Sequence, residues 1–271
     1  MNKGEQHFES VGCPDNRHSA GFIFACGVAF IISVAATVYF CRSMCCDMEM
    51  PGGWTMSMMW IRMPGQTWAA SATSFLVMWL AMMVAMMLPS ALPMLLNFGR
   101  SLGENRHNHS DAPVILVAAG YFFVWLLIGV AMYALGVAFA LTVMRLEWFN
   151  RLVPPLSGAT LVAAGALQFT GWKISALRRC RDPECCEALQ TGNPLRASWH
   201  HGLKQGMSCL ICCAAPMLAL LVLGSMNLAV MIIVTAVISM EKLMPSPEPI
   251  VRFSGVAIAT TGAVVITTSL L

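Results

Sequence analysis

Three cysteines, Cys209, Cys212 and Cys213, stand close together in the stretch GMSCLICCAAPM. Offsets of three and four residues place all three on one face of a helix. Thiolates are soft ligands suited to monovalent copper, zinc or iron–sulfur clusters. A helix starting near residue 206 adds the partial positive charge of its N-terminus, which favours the thiolate form. Pro216 follows and is expected to open this helix, while Met217, one turn beyond Cys213, offers a thioether. The plain alternative is that buried cysteines behave as small hydrophobes.

A second group, Cys180, Cys185 and Cys186 in RRCRDPECCEAL, has His200 and His201 downstream. Its spacing matches no standard zinc pattern, which favours paired CxxC-like units. In a reducing cytosol these thiols are available to a metal or an exchange partner. A reactive loop without a task remains open. A third group is rich in methionine: Met48, Met50, Met56, Met58, Met59 and Met63, with Cys41, Cys45, Cys46 and Asp47. Thioethers bind monovalent copper and, unlike thiols, form no disulfides in an oxidising compartment. These methionines could equally lie on a bilayer surface with Trp54 and Trp60. Further along, Met78, Met82 and Met86 recur every four residues, with Met83 and Met87 beside them. They form a thioether stripe on one helical face, readable as packing or as a relay. It resembles the methionine ladder of eukaryotic copper importers, although nothing else in the chain does. Glu241 and Lys242 in SMEKLMP add an ionisable pair at a membrane border, where such groups are costly unless paired or functional.

The elements that must position these residues follow from composition. The chain has 271 residues, of which 58% are hydrophobic and only 11% charged. Soluble domains carry roughly 25% charged residues, so this chain lacks the polar surface to face water all round. A net charge of +3, dispersed along the chain, excludes a nucleic-acid partner. A spanning helix needs about 20 mostly apolar residues. That rule predicts an all-α polytopic membrane helix bundle with about seven transmembrane helices. The spans fall near residues 20–40, 69–96, 114–142, 155–176, 206–224, 226–243 and 250–270. The fifth and sixth are divided at Gly224-Ser225-Met226-Asn227, since one helix over both would run about 57 Å. Pro89 and Pro93 are expected to kink the second span, with Ser90 or neighbouring helices serving the freed carbonyls.

Residues 1–19 are polar, with three acids and two bases, and lack the features of a secretory leader. They are read as a cytoplasmic tail, and residues 20–271 as one transmembrane domain. Of the Lys and Arg residues, 12 fall on one side of the predicted bundle and 4 on the other. The richer side is cytoplasmic by the positive-inside rule, which puts the N-terminus in the cytoplasm and the C-terminus in the periplasm. The expected setting is a bacterial inner membrane.

Three of these stretches carry a resemblance. AMMVAMMLPSALPM, then AGALQFTGWKISALRRCRDP, then GLKQGMSCLICCAAPMLALLVLGSMN with the following EKLMP, occur in that order over roughly residues 80–245. The sequence resembles an uncharacterised bacterial family described as predicted metal-binding integral membrane proteins. The resemblance implies an all-helical membrane bundle with metal bound by Cys209, Cys212 and Cys213. It also places Gln168, Lys173, Cys180, Arg181, Pro183, Asn227, Glu241 and Lys242 at motif positions. Where the family has a glycine before the paired cysteines and a tryptophan after them, this chain has Ile211 and Ala214. A tyrosine usual before the glutamine is Leu167. The cysteines themselves are kept.

Together these observations predict a membrane protein that binds a soft metal, most of all Cu(I), and acts in its transport or delivery. The metal ligands are drawn from Cys209, Cys212, Cys213, Met217, Cys180, Cys185, Cys186, Met78, Met82 and Met86. Glu241, Lys242, Gln168 and Asn227 are the polar residues of the membrane region. The expected partners are the lipid bilayer and a periplasmic or cytoplasmic metal chaperone. One alternative is a subunit that holds a fixed metal cofactor in a membrane redox or monooxygenase complex. Another is a mercuric-ion transporter, which the methionine excess disfavours. No Ser-His-Asp set, phosphate loop, HExxH or CxxCH is present, so no standard catalytic or c-type haem site is expected.

Overall fold

The computed structural model describes residues 16–43, 47–50, 54–57, 60, 65–103, 112–181, 194–224, 227–244 and 246–270. Eight helices account for nearly all of them: α1 (Asn16–Ser43), α2 (Trp68–Gly103), α3 (Ala112–Arg145), α4 (Glu147–Gln168), α5 (Gly171–Arg181), α6 (Pro194–Leu223), α7 (Leu228–Leu243) and α8 (Glu248–Leu270). A short antiparallel hairpin, β1 (Asp47–Met50) with β2 (Trp54–Ser57), pairs Met48 with Met56 in the methionine-rich segment.

Each apolar run becomes a helix, and the departures from expectation have local causes. The fourth span is not one rod: α4 and α5 meet at an angle of 68°. Phe169 closes α4 by donating its N–H to the Ala166 carbonyl at 3.1 Å, and Thr170 N donates to Leu167 O at 3.2 Å. Thr170 then opens α5, its carbonyl accepting from Lys173 N at 3.1 Å. The helix expected from residue 206 instead begins at Pro194, whose missing N–H costs nothing at a first helical position. Hydropathy alone misses this polar first half because packing, not lipid, holds it. Gly202 lies so close to α3 that a Cβ there would fall 2.3 Å from Val117 O, and one on Gly120 would fall 2.8 Å from Trp199 O. Ser90, expected to serve the carbonyls freed by Pro89 and Pro93, instead donates to Met87 O at 3.0 Å, one turn back.

Five helical segments are long and apolar enough to cross a membrane: Gly21–Ser43, Trp68–Gly99, Ala112–Arg145, Leu195–Leu223 and Glu248–Ser269. The bent α4–α5 pair makes a sixth if it counts as one span. The remaining expected span is α7, whose 16 residues reach about 24 Å, short of the roughly 30 Å hydrocarbon core. Asn227 caps α7, its side chain accepting from Ala229 N at 3.0 Å and Val230 N at 3.3 Å.

The packing fixes helix directions. Gly202 meets Val117 and Gly206 meets Tyr121 and Val124, so α3 and α6 run parallel. Gly158 meets Gly262 and Ile266 while Gly165 meets Gly255 and Ala259, so α4 and α8 run antiparallel. One buried core joins α2, α3, α5, α6 and α7, and it gathers most of the sulfur of the described chain.

Candidate metal centre

Helix α6 carries Cys209, Cys212 and Cys213 on one face, and all three are fully enclosed. Cys209 Sγ and Cys213 Sγ are 3.9 Å apart, and Cys212 Sγ and Cys213 Sγ are 3.5 Å apart. The fourth sulfur comes from another element. Cys180, near the end of α5, projects from the face that also buries Lys173, Ala176 and Leu177. Its Sγ, with those of Cys209 and Cys212, makes a group whose atoms all lie within 4.8 Å of one another. A thioether completes the set, since Met87 Sδ on α2 lies 3.9 Å from Cys209 Sγ.

From hydropathy these cysteines are expected at a helix start, where the dipole would favour a thiolate. They are mid-helix instead, with Cys209 fifteen residues beyond Pro194. The dipole's influence falls off within the first turn, so it cannot serve them. Two side chains take its place. Lys242 Nζ on α7 donates to Cys209 Sγ at 2.9 Å, and Tyr121 Oη on α3 donates to the same sulfur at 2.9 Å. A buried ammonium against a sulfur compensates a negative charge on it, as isolated charges in apolar surroundings require. Lys242 also reaches Ser90 Oγ at 3.4 Å.

Glu241 and Lys242, neighbours in sequence, serve different partners because adjacent helix residues point about 100° apart. Glu241 pairs with Lys173 at 2.8 Å, both nearly inaccessible to solvent. Gln168 Nε2 donates to Glu241 Oε1 at 3.0 Å and to Ser254 Oγ at 3.1 Å, while Ser254 Oγ donates to Glu241 at 3.0 Å. Lys173 Nζ also donates to the backbone carbonyl of Cys212. This polar network therefore abuts the sulfur cluster through the Cys212 backbone.

Met78, Met82 and Met86 are buried in the same core, as are Met83 and Met87, so the stripe faces the bundle and not the lipid. Among these the sulfur against Cys209 belongs to Met87, which the four-residue spacing of 78, 82 and 86 passes over. The same spacing shifted by one residue, through Met83 and Met87, was the available signal. Met217 lies buried one turn beyond Cys213. Tyr121 was missed, because a tyrosine within an apolar span gives no sign of its partner. Cys185 and Cys186, with Cys45, Cys46, Met58, Met59, Met63 and Pro183, lie outside the described residues, and His201 stacks on Phe98 at 5.2 Å.

The donor set suits a soft cation. A metal–sulfur bond of about 2.3 Å puts three sulfurs about 4 Å apart in a trigonal site, a spacing that the 3.5 to 4.8 Å separations here admit with little adjustment. No carboxylate or imidazole joins the group among the described residues, and Glu241, the carboxylate next to it, is held by Lys173. Such all-sulfur surroundings select copper over hard oxygen-seeking cations.

No curated protein and no solved structure matches the chain. Residues 76–265, running from α2 through most of α8 and including every side chain of the cluster, match a family described as copper chaperones. With well over half its length matched in this way, the chain belongs to the PpoB2 copper chaperone family.

Proposed function

We propose that this protein is a membrane-embedded Cu(I) carrier that takes the ion through its own bundle and delivers it to an acceptor. The observation that carries this reading is the contact of Met87 Sδ with Cys209 Sγ at 3.9 Å. It joins the thioether stripe of α2 to the thiols of α5 and α6 inside one buried core.

In this reading α7 is a seventh, short span, and the N-terminus is cytoplasmic and the C-terminus periplasmic in a bacterial inner membrane. The β1–β2 methionines and Met78, Met82, Met83, Met86 and Met87 receive the ion from the periplasmic side. Cys209, Cys212 and Cys180 hold it, with Cys213 within reach of the first two, and Lys242 and Tyr121 temper the charge of Cys209. Cys185 and Cys186, five and six positions past Cys180 in the sequence, receive the ion next on the cytoplasmic side. Donor softness rises from thioether to thiolate along this path, which favours inward movement. The partners are a periplasmic or cytoplasmic metal chaperone.

The test is elemental analysis of the purified protein in detergent, before and after a Cu(I) chelator. Copper near one per chain that the chelator removes is the expected result. Copper that resists the chelator would point to a resident cofactor in a redox complex, and protein that stays metal-free after reductive loading would overturn the reading. A preference for mercury over copper under the same loading would shift the substrate.

A further inference from the structure

The three thiols whose sulfurs all lie within 4.8 Å of one another, Cys180, Cys209 and Cys212, are not held alike. Cys209 and Cys212 share one continuous 30-residue helix, so their relative position is set by helix geometry. Cys180 sits on an 11-residue helix joined to α4 through a 68° break. Only one face of α5 is packed, and Trp172, Arg178 and Arg179 on its other face are exposed. Polar ties hold it down. Lys173 on its first turn pairs with Glu241 at 2.8 Å and donates to Cys212 O. Gln205 Nε2 on α6 donates to Cys180 O at 2.7 Å. Arg181 donates to Met244 O just past α7. Two of these ties end on the backbone of cysteines in the cluster itself.

Resting on the copper-carrier reading, we propose that α5 is a detachable arm: Cys180 is the exchangeable third ligand, and Lys173 and Glu241 are positioning residues that decide whether the ion has three sulfurs or two. A third thiolate deepens the hold on the ion, and its withdrawal lowers the affinity at the moment of hand-over. The exchange is a ligand substitution without change of oxidation state. The copper–Sγ bond to Cys180 breaks, a bond forms to a thiol of the acceptor, and the proton lost by that thiol ends on Cys180. Two features of the network fit this division of labour. The ion pair reaches the centre only through Cys212 O, so it touches no reacting sulfur. It also binds α5 to α7, the helix whose Lys242 serves Cys209, so arm and charge partner are anchored on neighbouring residues.

The experiment compares wild-type protein with the double substitution Lys173→Met, Glu241→Gln, which removes the clamp without leaving a lone buried charge. After Cu(I) loading in detergent, X-ray absorption counts the sulfur ligands and chelator competition measures affinity. Three sulfurs are expected in the wild type and two in the variant, with binding weakened about 10- to 100-fold. Cys180→Ser should reproduce both results, and adding it to the clamp variant should change nothing further. Alkylation of the metal-free proteins, mapped by mass spectrometry, gives a readout that needs no copper. Cys180 should react faster in the clamp variant while Cys209 and Cys212 remain shielded. Unchanged coordination and reactivity would overturn the proposal. So would a variant that exposes all three cysteines alike, since the pair would then support the whole bundle and not the arm. A wild type that binds no copper would sink the carrier reading, whereas the alkylation pattern would still decide whether α5 detaches.

Discussion

Helices α1 and α2 are both long apolar segments of similar composition, yet the buried share of their most apolar stretch is 11% in α1 and 56% in α2. Helix α1 packs mainly on α2 and shows Phe24, Ile31 and Ile32 to its surroundings. Helix α2 turns Phe75, Met78, Met82, Met83, Met86 and Met87 into the core shared with the thiol cluster. Hydropathy ranks the two as equals because lipid and protein interior are both apolar. What separates them is how much of each apolar face the rest of the bundle covers, and α2 lines its covered face with methionine sulfur. The family match begins at residue 76 and so excludes α1. The part of the chain that matches the family is therefore the part that holds the sulfur-lined inside of the bundle, and α1 packs against α2 outside it.

That contrast is open to direct attack. The largest effect is expected at the charged floor of the centre. Glu241→Ala leaves Lys173 buried without its counter-ion, which costs about 3–5 kcal/mol and should appear as a large drop in thermal stability in detergent. Unaltered melting would mean that water reaches the pair. Next, Cys212→Ser should lower Cu(I) affinity roughly a hundredfold, about 3 kcal/mol, while melting of the metal-free protein stays near wild type. An affinity that survives would take the ion away from α6. A third substitution, Gly202→Ala, tests whether the polar half of α6 is held by α3. The added methyl would meet Val117 O at 2.3 Å, and overpacking of that kind costs about 1–3 kcal/mol. Met87→Leu conserves volume and hydrophobicity but removes the thioether, so stability and final copper affinity should hold while the rate of copper loading falls about tenfold, roughly 1.4 kcal/mol in the barrier. A loading rate equal to wild type would reduce the α2 stripe to packing. The smallest effect belongs to α1. Cys26→Ser changes the same atom type as Cys212→Ser in a half-buried position, and copper affinity should not move.

Much of the architecture was legible from residue order. Every apolar run is helical, the fourth as the bent α4–α5 pair, and the turn through Gly224 and Asn227 separates α6 from α7 as expected. Two boundaries were not legible. The break after Gln168 carries no proline and arises from Phe169 and Thr170 closing one helix and opening the next. The early start of α6 depends on Gly202 and Gly206 meeting α3, a contact that leaves no hydropathy signal.

For the centre, sequence spacing sufficed for whatever one helix could decide. Cys209, Cys212 and Cys213 share a face because a helix repeats every 3.6 residues, and the softness of their sulfur follows from their chemistry. Partners drawn from other helices could not be read in this way. The convergence of Cys180, Met87, Tyr121 and Lys242 on Cys209, and the divergence of Glu241 toward Lys173, depend on how α2, α3, α5 and α7 are arranged around α6. Sequence determined the donor chemistry and the helical face, since both are local properties of the chain. Tertiary structure alone decided which faces meet, because that follows from steric fit between helices far apart in sequence.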